Sequence, residues 1–452
     1  TTTGDGYTFG GNAINLSNYW QFASANNTVT ANINYANAGS TSMTISPGAT
    51  GNIINGNIDL ALTAGGDMNT SVDEDINHNG AITGSTDIFQ QGTETNTWIS
   101  SATNASTFTA SGGVSIASGA FQCRNANCFG NNANSVETNT TGAIQFNNVS
   151  MTVANSITFN SSTSPQLNQM PGSTTLSGTI NINSTGTLYT QSGGTVIGSG
   201  SWVLNANANS LGSSSATSLL DITGVVSGTG GFNVTTGELI LIGNNTYSGV
   251  TTVNSGGLVA VVHVNGLGST TGNTVVNTGG SLLFGVLSPQ VIAAEPITIN
   301  GDGISSSYGA IRNQGANREL PGAITLGSDS TVTNGGATTD LDLSGVVGGT
   351  GNLTLFGVAE DYDVNLAGAS PNTLSGDVTF ISGGGVVANK GTISTGNITI
   401  HGIDDTLVNT ATNSLGDAAI VSFTGAFTPT LDLAVAATDT IGGLSSLSGI
   451  GS

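Results

Sequence analysis

The sequence predicts an all-β solenoid, a chain wound into stacked coils of short strands. Three observations predict it: almost no charge, strand-like alternation without a helical period, and an internal repeat. Charged residues are 7% of the 452, against roughly 25% in an ordinary soluble domain. Gly fills 68 positions, and the hydrophobic fraction is 37%. That fraction, with Val, Ile and Thr dominating the short runs, argues against disorder and for a thin core served by many strands.

Charge also excludes whole classes of function. Lys and Arg total 4, Asp and Glu 26, and the net charge is −22. Arg124, Arg312, Arg318 and Lys390 cannot build an electropositive footprint for nucleic acid or an anionic membrane. Helices draw on Glu, Lys, Arg, Ala and Leu for their outer faces, so a helical enzyme is not expected. No apolar stretch, including 258–264 and 286–294, is long enough for a transmembrane helix.

Along the chain, alternation recurs at 28–33, 157–159, 179–182, 239–242, 298–299, 353–355 and 398–400. Clusters of Gly, Asn, Ser and Thr separate these runs and read as turns. The repeat is plain: Leu220-Asp221-Ile222-Thr223-Gly224-Val225-Val226 returns as Leu341-Asp342-Leu343-Ser344-Gly345-Val346-Val347. Asn245-Thr246-Tyr247-Ser248-Gly249 then answers Asn372-Thr373-Leu374-Ser375-Gly376, with extra residues around Ala359–Asp363 read as an inserted acidic loop. Repeats of short strands and polar turns mean a solenoid, a propeller or an array. Aromatics are 5% and not periodic, so extended stacking fits better than radial closure. In such a stack, equivalent side chains of successive coils lie about 4.8 Å apart. Aliphatic ladders would fill the lumen, Asn, Ser and Thr would bond along the axis, and Gly would supply positive φ at corners. Like charges would stack and repel, which explains their scarcity.

The run Gly237-Glu238-Leu239-Ile240-Leu241-Ile242-Gly243-Asn244-Asn245-Thr246-Tyr247-Ser248-Gly249, continued by Thr251-Thr252-Val253-Asn254-Ser255-Gly256, resembles the autotransporter-associated β-strand repeat. Residues 224–230 and 345–351 are similar to that family's second element, and 7–14 to its opening element. The best match covers 220–285, a degenerate copy covers 297–400, and 30–150 match poorly. The resemblance implies a right-handed parallel β-helix in an extracellular bacterial protein, and it carries no catalytic residues. The expected organisation is an N-terminal β-helix portion over 1–150 and a repeat-bearing β-helix over 151–452, with repeat units near 220–285 and 341–400. An irregular, loop-rich region is expected near 60–140. With no leader at the start and a strand-like pattern running to the end, the natural product is expected to have lost a secretion signal and to continue beyond Ser452.

Two places invite chemistry. From Asp75, the sequence Asp75-Ile76-Asn77-His78-Asn79-Gly80 follows the opening of an EF-hand calcium loop, with oxygen ligands at alternate positions and Gly at the sixth. The twelfth position is Thr86, so Asp87 would take the missing acid's place. Asp73, Asp75, Asn77, Asn79 and Asp87 are the candidate ligands for a structural Ca²⁺, and the alternative is a solvated acidic turn. Cys123 and Cys128 bracket four residues and suit a small disulfide loop in an oxidising compartment. Such a loop would pin the tip of a surface excursion; two separate thiols are the alternative.

His401-Gly402-Ile403-Asp404-Asp405 lacks a basic substrate clamp, and its adjacent carboxylates would point to opposite faces of a strand. It reads as a turn. His78 is isolated, and His263 reads as a partly buried residue of an apolar strand. The leading expectation is a secreted, non-enzymatic structural protein assembling head-to-tail with itself into a fibre, filament or sheath. The alternative is a surface adhesin binding glycans or host surfaces, with Tyr19, Trp20, Trp98, Trp202 and Tyr308 as the candidates for an aromatic-lined groove. A polysaccharide-degrading enzyme ranks third for want of a catalytic constellation.

Overall fold

The computed structural model describes residues 5–446, apart from 17–18, 37–40, 46–48, 62–66, 73–74, 86, 93–96, 101–105, 111, 148–149, 161–166, 186, 191–193, 207, 214–218, 286–289, 306–307, 336–338, 359–361, 369–371, 383–385, 390–395, 403–405, 410–414, 416–418, 425–429 and 434–440. The described residues form strands and turns with no helix, and the strands stack in parallel as a β-solenoid. The chain divides into two compact units, Thr1–Gly230 and Gly231–Ser452.

In the first unit each coil contributes strands to separate faces. One face is a continuous parallel ladder from Tyr19–Phe22 through Thr41–Ile45, Asp67–Val72 and Asp87–Gly92 to Val226–Gly228. The strands of 60–140 belong to these ladders, and the irregular part there is the turn-rich segment 124–135. The ladders also run past residue 150, from Ala143–Phe146 to Leu167–Gln169 and from Met151–Val153 to Gly172–Leu176.

Alternation decides which side chains enter the lumen. Val136, Ile157, Ile180, Trp202 and Val226 are register partners on successive coils, and all are buried. Each coil therefore presses an apolar residue onto the one below, at roughly 1.5–3 kcal/mol per buried side chain. Outward, Asn ladders bond along the axis. Asn160 Nδ2 donates to Asn139 Oδ1 (3.1 Å), Asn183 to Asn160 (2.9 Å) and Asn205 to Asn183 (2.7 Å).

The second unit repeats this plan. Its third face runs from Gln290–Val291 through Arg318–Leu320, Thr339–Leu343 and Tyr362–Leu366 to Thr430–Leu433. Asn254 donates to Asn233 Oδ1, and Asn277 to Asn254 (2.9 Å). Tyr362 and Asp363 open a strand, and 359–361 lie outside the described residues.

The two sequence copies build the same strand–corner–strand piece. Leu220, Ile222 and Val226 are buried in one, and Leu341, Leu343 and Val347 in the other. Their glycines do two different jobs. Gly228 and Gly349 hold φ of +106° and +125°, as expected of a corner, and a Cβ there would also meet the carbonyl oxygens of Leu204 and Leu326. Gly224 and Gly345 have ordinary φ, but a Cβ there would collide with the carbonyl oxygens of Gly200 and Gly322 on the coil below. Close approach, not positive φ, is what fixes glycine at that second position.

Gly345→Ala should lower stability by about 1–3 kcal/mol, the usual cost of overpacking. Gly285→Ala, where a Cβ meets only Leu283 at ordinary contact distance, should stay near wild type. Equal melting temperatures for the two variants would refute the close-approach account.

Candidate functional site

The strands rearrange the residues expected to bind calcium. Ile76–His78 is a strand, with Ile76 and His78 buried and Asp75 exposed just before it. Asp75, Asn77 and Asn79 therefore follow each other at two-residue spacing along an extended segment and do not curl around a point. Asn79 Nδ2 instead donates to Asn55 Oδ1 (2.7 Å) on the coil below. Gly80 packs so that a Cβ would strike the Gly56 carbonyl oxygen, so its role is coil stacking. Asp87 opens a strand on another face and accepts the Gly112 N–H (2.7 Å). Asp73 lies outside the described residues. Among the described residues no three His, Cys, Asp or Glu side chains gather at one point. His78 is fully enclosed, and burial lowers its pKa to about 4 against a raising backbone hydrogen bond at Gly56.

Cys123 and Cys128 are joined, with Cα atoms 5.5 Å apart. Both are buried, so the bond sits at the root of the 124–135 excursion and not at its tip. His263 lies in the turn after the strand Gly257–Val261, where Nδ1 accepts the Asn265 N–H (3.1 Å). His401 belongs to the strand Ile398–Gly402 and bonds Thr424 Oγ1 (2.7 Å) on the next coil. Asp404 and Asp405 lie outside the described residues. Trp202 is a core residue at 1% exposure. Tyr308 is half-buried under the Arg312 guanidinium, 4.6 Å from its ring centroid. The Trp98 side chain is not among those described.

Three further features of the structure bear on what the chain can do. The first is a polar column inside the lumen of the second unit. Tyr247, Thr251, Thr274 and Glu295 are all buried. The Tyr247 hydroxyl shares a hydrogen bond with Thr251 Oγ1 (2.7 Å), and Thr274 Oγ1 donates to Glu295 Oε1 (3.3 Å). Glu295 Oε2 has no hydrogen-bond partner among the described residues. Burial pushes the Glu295 pKa up to about 7, against the opposing Thr274 bond. The Tyr247 hydroxyl is also pushed up, chiefly by burial and further by the Glu295 charge. The available signal was a lone acid inside the apolar stretch Ile292-Ala293-Ala294-Glu295-Pro296-Ile297.

The second feature is the pair of terminal rungs. Tyr7, Phe9, Trp20 and Phe22 form a chain of ring contacts 5.8–6.4 Å apart on the first coil. Their strands Thr8–Phe9 and Tyr19–Phe22 pair, among the described residues, only with the second coil. Phe9, Ile14, Leu16 and Trp20 stay partly exposed, whereas their partners Val29, Ile33, Tyr35 and Met43 are buried. At the far rung, the lumen column Leu353, Val378, Ile398, Val421 is at most 1% exposed and ends on Leu444 at 69%. The third, a groove on the face through Glu319, is taken up below.

A carboxyl with a folded pKa near 7 and an ordinary unfolded value near 4.5 favours the protonated fold. Its stabilisation is complete below the unfolded value and is lost as pH rises through the folded one. Glu295→Gln should therefore remove a decline in melting temperature between about pH 4.5 and 7, and should melt above wild type at pH 8. Parallel pH profiles for the two proteins would exclude a buried, titrating Glu295.

Comparison with protein-family models, with curated proteins and with solved structures finds no match to this chain, so its likeness to the autotransporter-associated repeat rests on the residues quoted above.

Proposed function

We propose that the chain is a structural element of an extracellular bacterial fibre, filament or sheath, extended by adding coils head to tail. The observation that supports this most directly is the axial stacking of parallel coils, which an added coil would continue. Among the described residues Leu444 is the last member of a lumen column whose other members are sealed, so a further coil placed on it would bury an aliphatic side chain. The first described rung offers an apolar aromatic surface. A contact between unlike ends does not close on itself and so propagates. In the fibre a second copy supplies the added coil.

The remaining features suit that role. Side chains are invested in axial ladders. A buried disulfide fits an oxidising compartment, in keeping with secretion. The likeness of 237–258 to the autotransporter-associated repeat points the same way. No catalytic task is part of the proposal.

Electron microscopy and sedimentation of the purified chain test it. Elongated assemblies should form at micromolar concentration, with or without calcium. Leu444→Asp should shift them to single particles with unchanged circular dichroism, because it places a charge in the joint. Dispersed monomers of the wild-type chain under all these conditions would sink the fibre.

A further inference from the structure

The outer side of the third face of the second unit holds a groove of about 260 Å³ lined by Gln290, Val291, Asn317, Arg318, Glu319 and Asp342. Val291, Glu319 and Asp342 are register partners on three successive coils, so they stand in one outward column about 4.8 Å apart. Val291 is 55% exposed and supplies an apolar patch.

Each polar wall is held by one atom and leaves another open. Glu319 Oε1 accepts the Ser344 hydroxyl (2.6 Å), Asp342 Oδ1 accepts Asn365 Nδ2 (2.8 Å), and Asn317 Oδ1 accepts the Asp340 N–H (3.1 Å). These bonds fix the side chains without using Glu319 Oε2, Asp342 Oδ2 or Asn317 Nδ2. Beneath them Arg318 is buried, and its Nη1 donates to Gln290 Oε1 (2.9 Å), which anchors the strand that forms the floor. The result is two carboxylate acceptors and one amide donor, pre-positioned beside an isopropyl group.

We propose that this groove binds one ring of a neutral glycan. Adjacent sugar hydroxyls would donate to Glu319 and Asp342 and accept from Asn317, while the C–H face of the ring would cover Val291. Acidic sugars are disfavoured by the two carboxylates. The groove needs few groups to order on binding, because each is already held. This site is independent of self-assembly: it lies on the side of the coils, not on a terminal rung.

Saturation-transfer NMR with cellotriose, maltotriose and chitotriose, on the full chain, tests the assignment. At least one should bind in the millimolar range, and Asp342→Asn and Glu319→Gln should each weaken it by about tenfold, the loss expected for a hydrogen bond to a charged acceptor. Val291→Ser, at an exposed position, should weaken binding without altering the melting curve and covers the case in which an acid variant fails to fold. Absence of transfer from all three sugars would overturn the site. Undiminished binding by the folded variants would do the same, as would exclusion of the sugar by calcium chloride acting at these residues.

Discussion

Everything in this molecule depends on register between parallel coils. A residue on one coil sits about 4.8 Å from its counterpart on the next, so each position is chosen against a near-copy of itself. Identical aliphatic residues gain from that neighbour, and so do Asn side chains, each of which donates with its amide and accepts with its oxygen. The Asn139, Asn160, Asn183, Asn205 ladder shows the second case. Like charges lose, and such pairs are few: Glu319 meets Asp342 in register, while on its other side Asp342 faces Asn365 (2.8 Å). A variation on this theme alternates the two: Asn352 N–H donates to Asp329, Asp377 N–H to Asn352, and Asn397 N–H to Asp377, all at 2.8 Å. The scarcity of charge is a consequence of stacking.

That constraint also explains what was legible in the sequence. Strand alternation and the repeat at Leu220 and Leu341 are written in consecutive residues, so they lead directly to parallel coils. The separation of glycine roles is not. Gly224 and Gly228 look alike in sequence, and a Cβ on either would strike a carbonyl of the coil below, yet only Gly228 also holds a positive φ. The steric constraint lies in the partner coil, more than twenty residues away. The same limit applies to Asp75–Gly80, whose residues lie along an extended segment and its corner. A ligand loop and an Asn/Gly-rich strand with its corner share a composition. Only the neighbouring Asn55 and Gly56 reveal that Asn79 and Gly80 belong to stacking. The groove along Glu319 is likewise assembled from three coils and has no local motif.

Buried ionisable groups mark where the ladder rule is broken. His78 in the first unit and Glu295 in the second both point inward, where neighbours on adjacent coils are apolar or hydroxyl-bearing. Desolvation favours the neutral form of each, and the consequences run in opposite directions. For His78 the neutral form is the deprotonated one, so its unit gives up stabilisation as pH falls from the ordinary histidine value of 6.5 towards about 4. For Glu295 the neutral form is protonated, and its unit gives up stabilisation as pH rises from about 4.5 towards 7. The two windows overlap between about 4.5 and 6.5, where a change in pH shifts stabilisation from one unit to the other instead of weakening both. A single melting curve would blur this exchange. A solenoid whose parts are coupled mainly to their nearest coils can express it, because unfolding of repeat structures need not be all-or-none. A coil added on Leu444 would stabilise the adjoining stack, and with it the pH range over which the second unit holds its buried acid.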